Sequence, residues 1–494
     1  MKSTLYTSLA STLAVAFLAA PALADEGESS APAEGASSTK AEQSAADDMQ
    51  SSFERPLLIR VSATNSTNMP GEAFETVKAA VEQKRMDVRT FAVDSDETKA
   101  WCASSAKKAE ENAGDTDAKG DAIGDLETLK KRCSAVFTHT LEASHSCKPA
   151  KNNSFDCTVE VTITLTKYNA NIVDGKVDGF SVDQKFGKGG SLTITSSGGG
   201  NSKDQAAAIK AAAFTARLFA ERKVRDVEYF QIKAPIQNVV DGYSEFCVGK
   251  DSLELDQPFY VLKLNDQGEK ERTGWGKVRE MKDGCVMTTE LTEAEGNGQK
   301  IVLGPSRMVN LIGADNIKAG MTAWEMPSVG LNVGAQIGVS NPAAYNRDSE
   351  IEPVFGMAPR FDLAVEYNLA RHIGVSELHA AIHTGFTLQT NLFDIDNKES
   401  FSFNVVPTDI GVTKRFQKRR FIFDVGAFVA YDRWLGEGQG EANAVGGAVK
   451  LGIGAQLSPR LIMRLGLGFR GLYNFDLLNP YMGPVGNLGF LYNI

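Results

Sequence analysis

Hydrophobic and polar positions change rhythm three times along the chain. In the first stretch, Ile59, Val61 and Ala63 alternate with polar residues, and Phe74, Val77 and Val81 then recur at helical spacing. Val159, Val161, Ile163 and Leu165 alternate with Glu160, Thr162, Thr164 and Thr166, the pattern of a half-buried strand. A turn at Asp174-Gly175 and a glycine-rich stretch to Gly200 lead into a long helix whose Ile209, Ala212, Ala213, Ala216, Phe219 and Ala220 form one apolar stripe. Strands mixed with amphipathic helices predict an α/β domain over 56–233.

Between 234 and 326 the runs shorten to Phe259–Leu262, Gly274–Val278 and Ile301–Leu303, punctuated by Gly and Asp/Asn, which predicts a small all-β module. From 327 to 494 the texture becomes glycine-rich alternation. Strands are expected at 330–340, 358–370, 376–391, 401–416, 420–434, 443–457, 460–473 and 484–494. Each reaches the ~9–11 residues that a tilted membrane strand needs. On the fifth, Phe421, Phe423, Val425, Ala427, Val429 and Tyr431 share one face and Asp424, Gly426 and Asp432 the other; on the seventh, Leu461, Met463, Leu465, Leu467 and Phe469 oppose Arg464, Gly466, Gly468 and Arg470. Apolar-out and polar-in alternation marks a transmembrane barrel, although a soluble lipocalin-like can alternates too. Connection length favours the membrane: 341–357, 392–400, 435–442 and 474–483 are long, whereas 371–375, 417–419 and 458–459 are short.

The end of the chain, Gly489-Phe490-Leu491-Tyr492-Asn493-Ile494, is similar to the C-terminal signal of outer-membrane barrels, with Ile494 where Phe is usual, and the region resembles OmpA-like eight-stranded barrels. Upstream, the strand ending in Asn171-Ile172-Val173-Asp174-Gly175 followed by an Ala-rich helix resembles CsgG-like and TolB-like periplasmic domains. Val239–Gly242, Val248-Gly249-Lys250, Asp256–Val261 and Ile317–Met321 resemble the β-module of CsgG-like and FlgT-like proteins. These resemblances imply self-association or docking on envelope partners. They do not imply a secretion channel, since no lipidated Cys or inserted membrane hairpin is visible.

Lys2, the apolar run Leu9–Ala20 and Ala22-Leu23-Ala24 read as a signal peptide over 1–24. Residues 25–55, almost wholly Ala, Ser, Glu, Asp and Gly, read as a disordered acidic linker. In an oxidising compartment, Cys102, Cys133, Cys147, Cys157, Cys247 and Cys285 are candidates for disulfides, sequential pairing being preferred because each bond closes a local loop. The fold class is therefore multidomain: a periplasmic α/β domain and a small all-β module, then a C-terminal eight-stranded antiparallel transmembrane β-barrel.

At 494 residues the chain has room for two or three domains of ~100–200 residues each. A net charge of −10 argues against nucleic-acid binding, which needs a basic surface. Asp362, Glu366, Asp424, Asp432, Lys450, Arg464 and Arg470 are expected to neutralise one another inside the barrel and fill it. His379 and His383 share the inward face. Gly249-Lys250-Asp251-Ser252 lacks the first Gly and the hydroxyl of a phosphate loop, and neither Gly-x-Ser-x-Gly nor His-Glu-x-x-His occurs. No cofactor, metal or catalytic residue is assigned. The reading is an outer-membrane-anchored structural or assembly protein, not an enzyme. Its expected partners are outer-membrane lipid, the barrel-insertion machinery, and copies of itself or other envelope proteins. A small pore, a soluble ligand-binding can and a lipid-acting enzyme around His383 are the alternatives.

Overall fold

The structure, a computed structural model, describes residues 55–83, 85–103, 129–130, 133–265, 269–282, 305–340, 343–344, 358–394, 399–436, 440–474 and 479–494. The signal peptide, nearly all of the acidic linker, Cys285, the strand expected at Ile301–Leu303 and most of the 341–357 connection lie outside them. The described chain forms two compact units, which divide at Ile232 and Lys233.

The first unit is a mixed six-stranded sheet. It contains β1 (Leu57–Asn65), α1 (Gly71–Lys78), β2 (Asp87–Arg89), β3 (Val136–Ala150), β4 (Ser154–Val173), β5 (Lys176–Val182), β6 (Ser191–Ser202) and α2 (Gln205–Asp226). The strand order is β2-β1-β3-β4-β5, with β6 also on β4; β1 pairs parallel with β2 and with β3, and the pairings of β4 with β3, β5 and β6 are antiparallel. The expected α/β alternation holds at the β1–α1–β2 crossover between parallel strands, whereas tight hairpins join β3 to β4 and β4 to β5. Asp174 and Gly175, both at positive φ, make the second of these turns.

Asp204 caps α2 by accepting a hydrogen bond from the Ala206 amide. The helix buries Ile209, Ala212, Ala213, Ala216 and Ala220 against Val159, Val161 and Ile163 of β4. Its close approach requires glycine on β6: a Cβ at Gly198 would fall on the backbone of Ala212 and Ala216. On the opposite face, Leu57, Ile59 and Val136 pack with Cys102, Leu129 and Cys133.

The second unit begins with a closed six-stranded antiparallel barrel, ordered β10-β11-β8-β7-β12-β9. Its strands are β7 (Lys233–Val240), β8 (Tyr243–Phe246), β9 (Pro258–Leu264), β10 (Lys270–Glu280), β11 (Ser306–Ile312) and β12 (Thr322–Glu325). Ile236, Phe246, Phe259, Val261, Val278 and Met308 are buried. The strand described in the 301–312 region is thus Ser306–Ile312.

A second closed barrel follows: β13 (Leu331–Ser340) with its short continuation β14 (Ala343–Ala344), β15 (Ala358–Asn368), β16 (Leu378–Asp394), β17 (Glu399–Lys418), β18 (Phe421–Gly436), β19 (Gly440–Ser458), β20 (Leu461–Asn474) and β21 (Asn479–Asn493). Each long strand pairs antiparallel with the next, and β21 closes onto β13 in an unbroken register from Asn332–Asn493 to Ser340–Val485. Among the described residues no helix is long and apolar enough to cross a membrane.

Candidate functional site

Strand alternation sorts the large barrel's side chains by chemistry. Ile337, Phe361, Phe423, Val429, Val449, Leu451, Ile453, Leu467 and Phe469 are exposed on its outer wall, while Asp362, Glu366, Asp424, Lys450, Arg464 and Arg470 are buried within. A barrel in water does the reverse; this is the distribution of a barrel that spans lipid.

All seven charged residues predicted for the interior are there, at 5% exposure or less. Three more join them, Arg360, Asp409 and Arg415, giving five acids and five bases. Asp409, Thr413 and Arg415 occupy odd positions of β17 as Val405 and Gly411 do, so strand parity alone could have found Asp409 and Arg415.

Towards the end with the short turns the charges form a ring. Glu366 lies 2.6 Å from Arg464 and 2.9 Å from Arg415, and Asp424 lies 2.9 Å from Arg464 and 3.1 Å from Arg415. Gly452 leaves space for this ring, since a Cβ there would come 2.8 Å from Arg464 Nε. Further along the barrel, Asp409 sits 2.8 Å from both Lys450 and Arg470 and 3.4 Å from Arg360. Arg360 also holds Asp362 at 2.7 Å, and Arg470 holds Asp432 at 2.6 Å.

His383 connects the two clusters. Its Nδ1 accepts from Lys450 Nζ at 2.9 Å, and its Nε2 lies 3.6 Å from Glu366. His379 is buried below it, 3.9 Å from Glu377. A small interior cavity opens among Gln336, His383, Lys450, Arg464, Arg470 and Asn487. Apolar side chains bound the charged zone: Ile422, Ile462 and Leu491 beside the short turns, and Val405, Trp434, Ala444 and Leu472 towards the far end.

The six-stranded barrel closes on the large barrel at the short-turn end, a contact that sequence reasoning missed. Asp256 accepts from the Glu377 amide at 2.5 Å, Ser376 Oγ at 2.7 Å and Asn368 Nδ2 at 3.0 Å, and pairs with Arg279. Glu377 in turn binds Lys277 at 2.7 Å and Arg279 at 2.8 Å. Burial would raise the Glu377 carboxyl, but Lys277 and Arg279 hold it well below the usual carboxylate range. Asp256 and Glu377 both adopt left-handed backbone conformations, at φ 65° and 52°. Such conformations are costly away from glycine and persist where surrounding contacts fix them. The exposed Arg419–Asp315 pair at 2.9 Å adds little by comparison.

At the C-terminus, Gly489 faces inward against Gln336, and Phe490 and Tyr492 face outward. Ile494 does not follow them onto the outer wall. It is buried, its amide bonded to Leu331 O at 2.8 Å and its carbonyl accepting from Val329 at 3.1 Å, because the strand end is drawn in beside the start of β13.

Cys147 and Cys157 face each other across the β3–β4 hairpin and form a disulfide, and Cys247 is also disulfide-bonded. Cys102 and Cys133 share one apolar cluster with no disulfide between them, which corrects that expected pairing; as thiols they pack like small apolar groups. Among the described residues no cluster of His, Cys, Asp or Glu could hold a metal ion.

No protein-family profile matches the chain, and no characterised protein matches it in sequence. The CsgG-like and FlgT-like resemblances therefore have no counterpart in those comparisons. Solved structures do align. Neisserial surface protein A matches at 11% identity and a TM-score of 0.27, over 34% of this chain and 100% of that one. Ail, the attachment invasion locus protein of Yersinia pestis, matches at 14% identity and 0.22, over 33% and 98%. The N-terminal β-barrel domain of Pseudomonas aeruginosa OprF matches at 13% identity and 0.22, over 34% and 99%.

Proposed function

We propose that this chain is an outer-membrane protein whose eight-stranded barrel is a closed anchor, and that the modules ahead of it stand in the periplasm and organise envelope partners. The observation that carries the reading is the interior: ten mutually paired charges between apolar layers, with the six-stranded barrel fixed over one mouth by a buried ion cluster. Such an interior resists opening, because each separated pair leaves an uncompensated charge in a confined space. The outward apolar wall supports lipid contact, and the short turns at the capped end support a periplasmic position for that end.

The role is structural. The buried carboxylates are paired with arginine and lysine side chains around His383, which supports a structural role for these charges. Cell fractionation tests the proposal. The full chain should sediment with outer membranes and migrate faster unboiled than boiled, whereas recovery in the soluble periplasm with a single mobility would overturn it.

A further inference from the structure

We propose that β6 is a pairing edge through which two copies of this chain join their mixed sheets, strand against antiparallel strand. Sheet edges in natural proteins are blunted by charge, proline, bulges or shortness, because unpaired backbone groups invite another strand. The other edge strands of this sheet follow that rule: β2 has only three residues, Asp87 and Arg89 among them, and β5 carries Lys176 and Asp178. β6 does not. Over the 12 residues from Ser191 to Ser202 it has no charged residue and no proline, and its register with β4 runs unbroken from Ser191 to Ser202.

The pairing parity identifies which groups are available. Lys167 N donates to Gly190 O at the head of the β4–β6 ladder, so even-numbered residues of β6 turn their backbone groups towards β4. Thr193, Thr195, Ser197 and Gly199 therefore present N–H and C=O outward. Among the described residues these four amides have no backbone partner, and of the four carbonyls Thr195 O is taken by Lys223 Nζ at 2.8 Å. Behind the strand, α2 sits directly on Gly198 and Gly200 and holds the edge in place.

The geometry commits the partner to a second copy. The strand's own side chains carry no charge, so, with Lys223 released from Thr195 O, it meets a second copy of itself without like-charge repulsion. Because the outward groups all fall on odd positions, a two-fold antiparallel pairing of odd with odd matches every donor with an acceptor once Lys223 swings away.

The test is the mass of the full chain in detergent micelles, by light scattering and native mass spectrometry. Two copies per particle are expected. Ser197→Pro should return one copy, since the amide it removes points away from β4 and proline is tolerated at such edge positions. Ser197→Lys should do the same without touching the backbone, and the Cys147–Cys157 bond in each variant reports that the sheet has formed. A parent particle of one copy, or a two-copy particle that persists in both variants, overturns the proposal.

Discussion

Replacing Arg464 by Met probes the buried ring directly. The guanidinium touches Glu366 at 2.6 Å and Asp424 at 2.9 Å, and it is 4% exposed. After the substitution both carboxylates still have Arg415, at 2.9 and 3.1 Å, so the ring keeps two acids against one base. Breaking a buried pair by removing one partner costs about 3–5 kcal/mol. The remaining arginine places the expected loss near the lower end, about 3 kcal/mol, or roughly a hundredfold in the folding equilibrium. The measurement is urea unfolding of the full chain in micelles, scored by the unboiled electrophoretic band of the folded barrel. Adding Glu366→Gln removes the excess charge, so the double variant should recover more than half of the loss. A single variant within about 0.5 kcal/mol of the parent, the range of an ordinary surface substitution, would refute the ring's role. So would a double variant whose loss equals the sum of the two singles.

Two further predictions concern groups outside the membrane strands. His139 is buried in the mixed sheet, and burial, with the Arg60 charge, lowers it to about 4. The unfolded chain, with an ordinary value of about 6.5, takes up the proton first, so stability present above that pH is lost between about 6.5 and 4, to a limit of about 3 kcal/mol. Hydrogen exchange in β3, corrected for intrinsic rates, should accelerate over that window in the parent and not in His139→Gln; an equal response in both would remove His139 as the cause. Glu377→Ala should raise exchange in β9 and β10 at least tenfold and leave β18 to β20 unchanged, because it unpairs Lys277 and Arg279 at the mouth; unaltered exchange in β9 and β10 would contradict the buried junction. Since the Glu377 carboxyl is held low in the folded chain, its contribution is complete above about pH 4.3 and fades as pH falls below that.

Much of the large barrel is legible in sequence because lipid and a charged interior impose opposite demands on alternate residues. Phe421, Phe423, Val425, Val429 and Tyr431 on one face of β18 and Asp424 and Asp432 on the other leave one consistent register. Arg360 was harder to place: it sits near the start of β15, where a lone arginine reads equally well as a surface residue. The ion cluster at the mouth was not legible. Asp256 and Glu377 are 121 positions apart, and each lies in a short polar turn that resembles any solvent-exposed connection. Closure of the six-stranded barrel was hidden for a related reason. It depends on β12 pairing back to β7 and β9, a non-local choice that short, weakly patterned strands do not encode individually. In the mixed sheet, alternation in β4 and the apolar stripe of α2 identified the core layer, but strand direction depends on connections that hydrophobic rhythm does not specify.

The central claim is that the eight-stranded barrel is a filled anchor and not a conduit. Its most direct test is single-channel recording of the purified full chain in planar bilayers, with insertion verified by the heat-dependent mobility of protein recovered from the same membranes. A filled interior predicts a flat trace with no discrete conductance steps. Reproducible ohmic steps from the parent chain would mean that the paired charges open a path, and would contradict the claim.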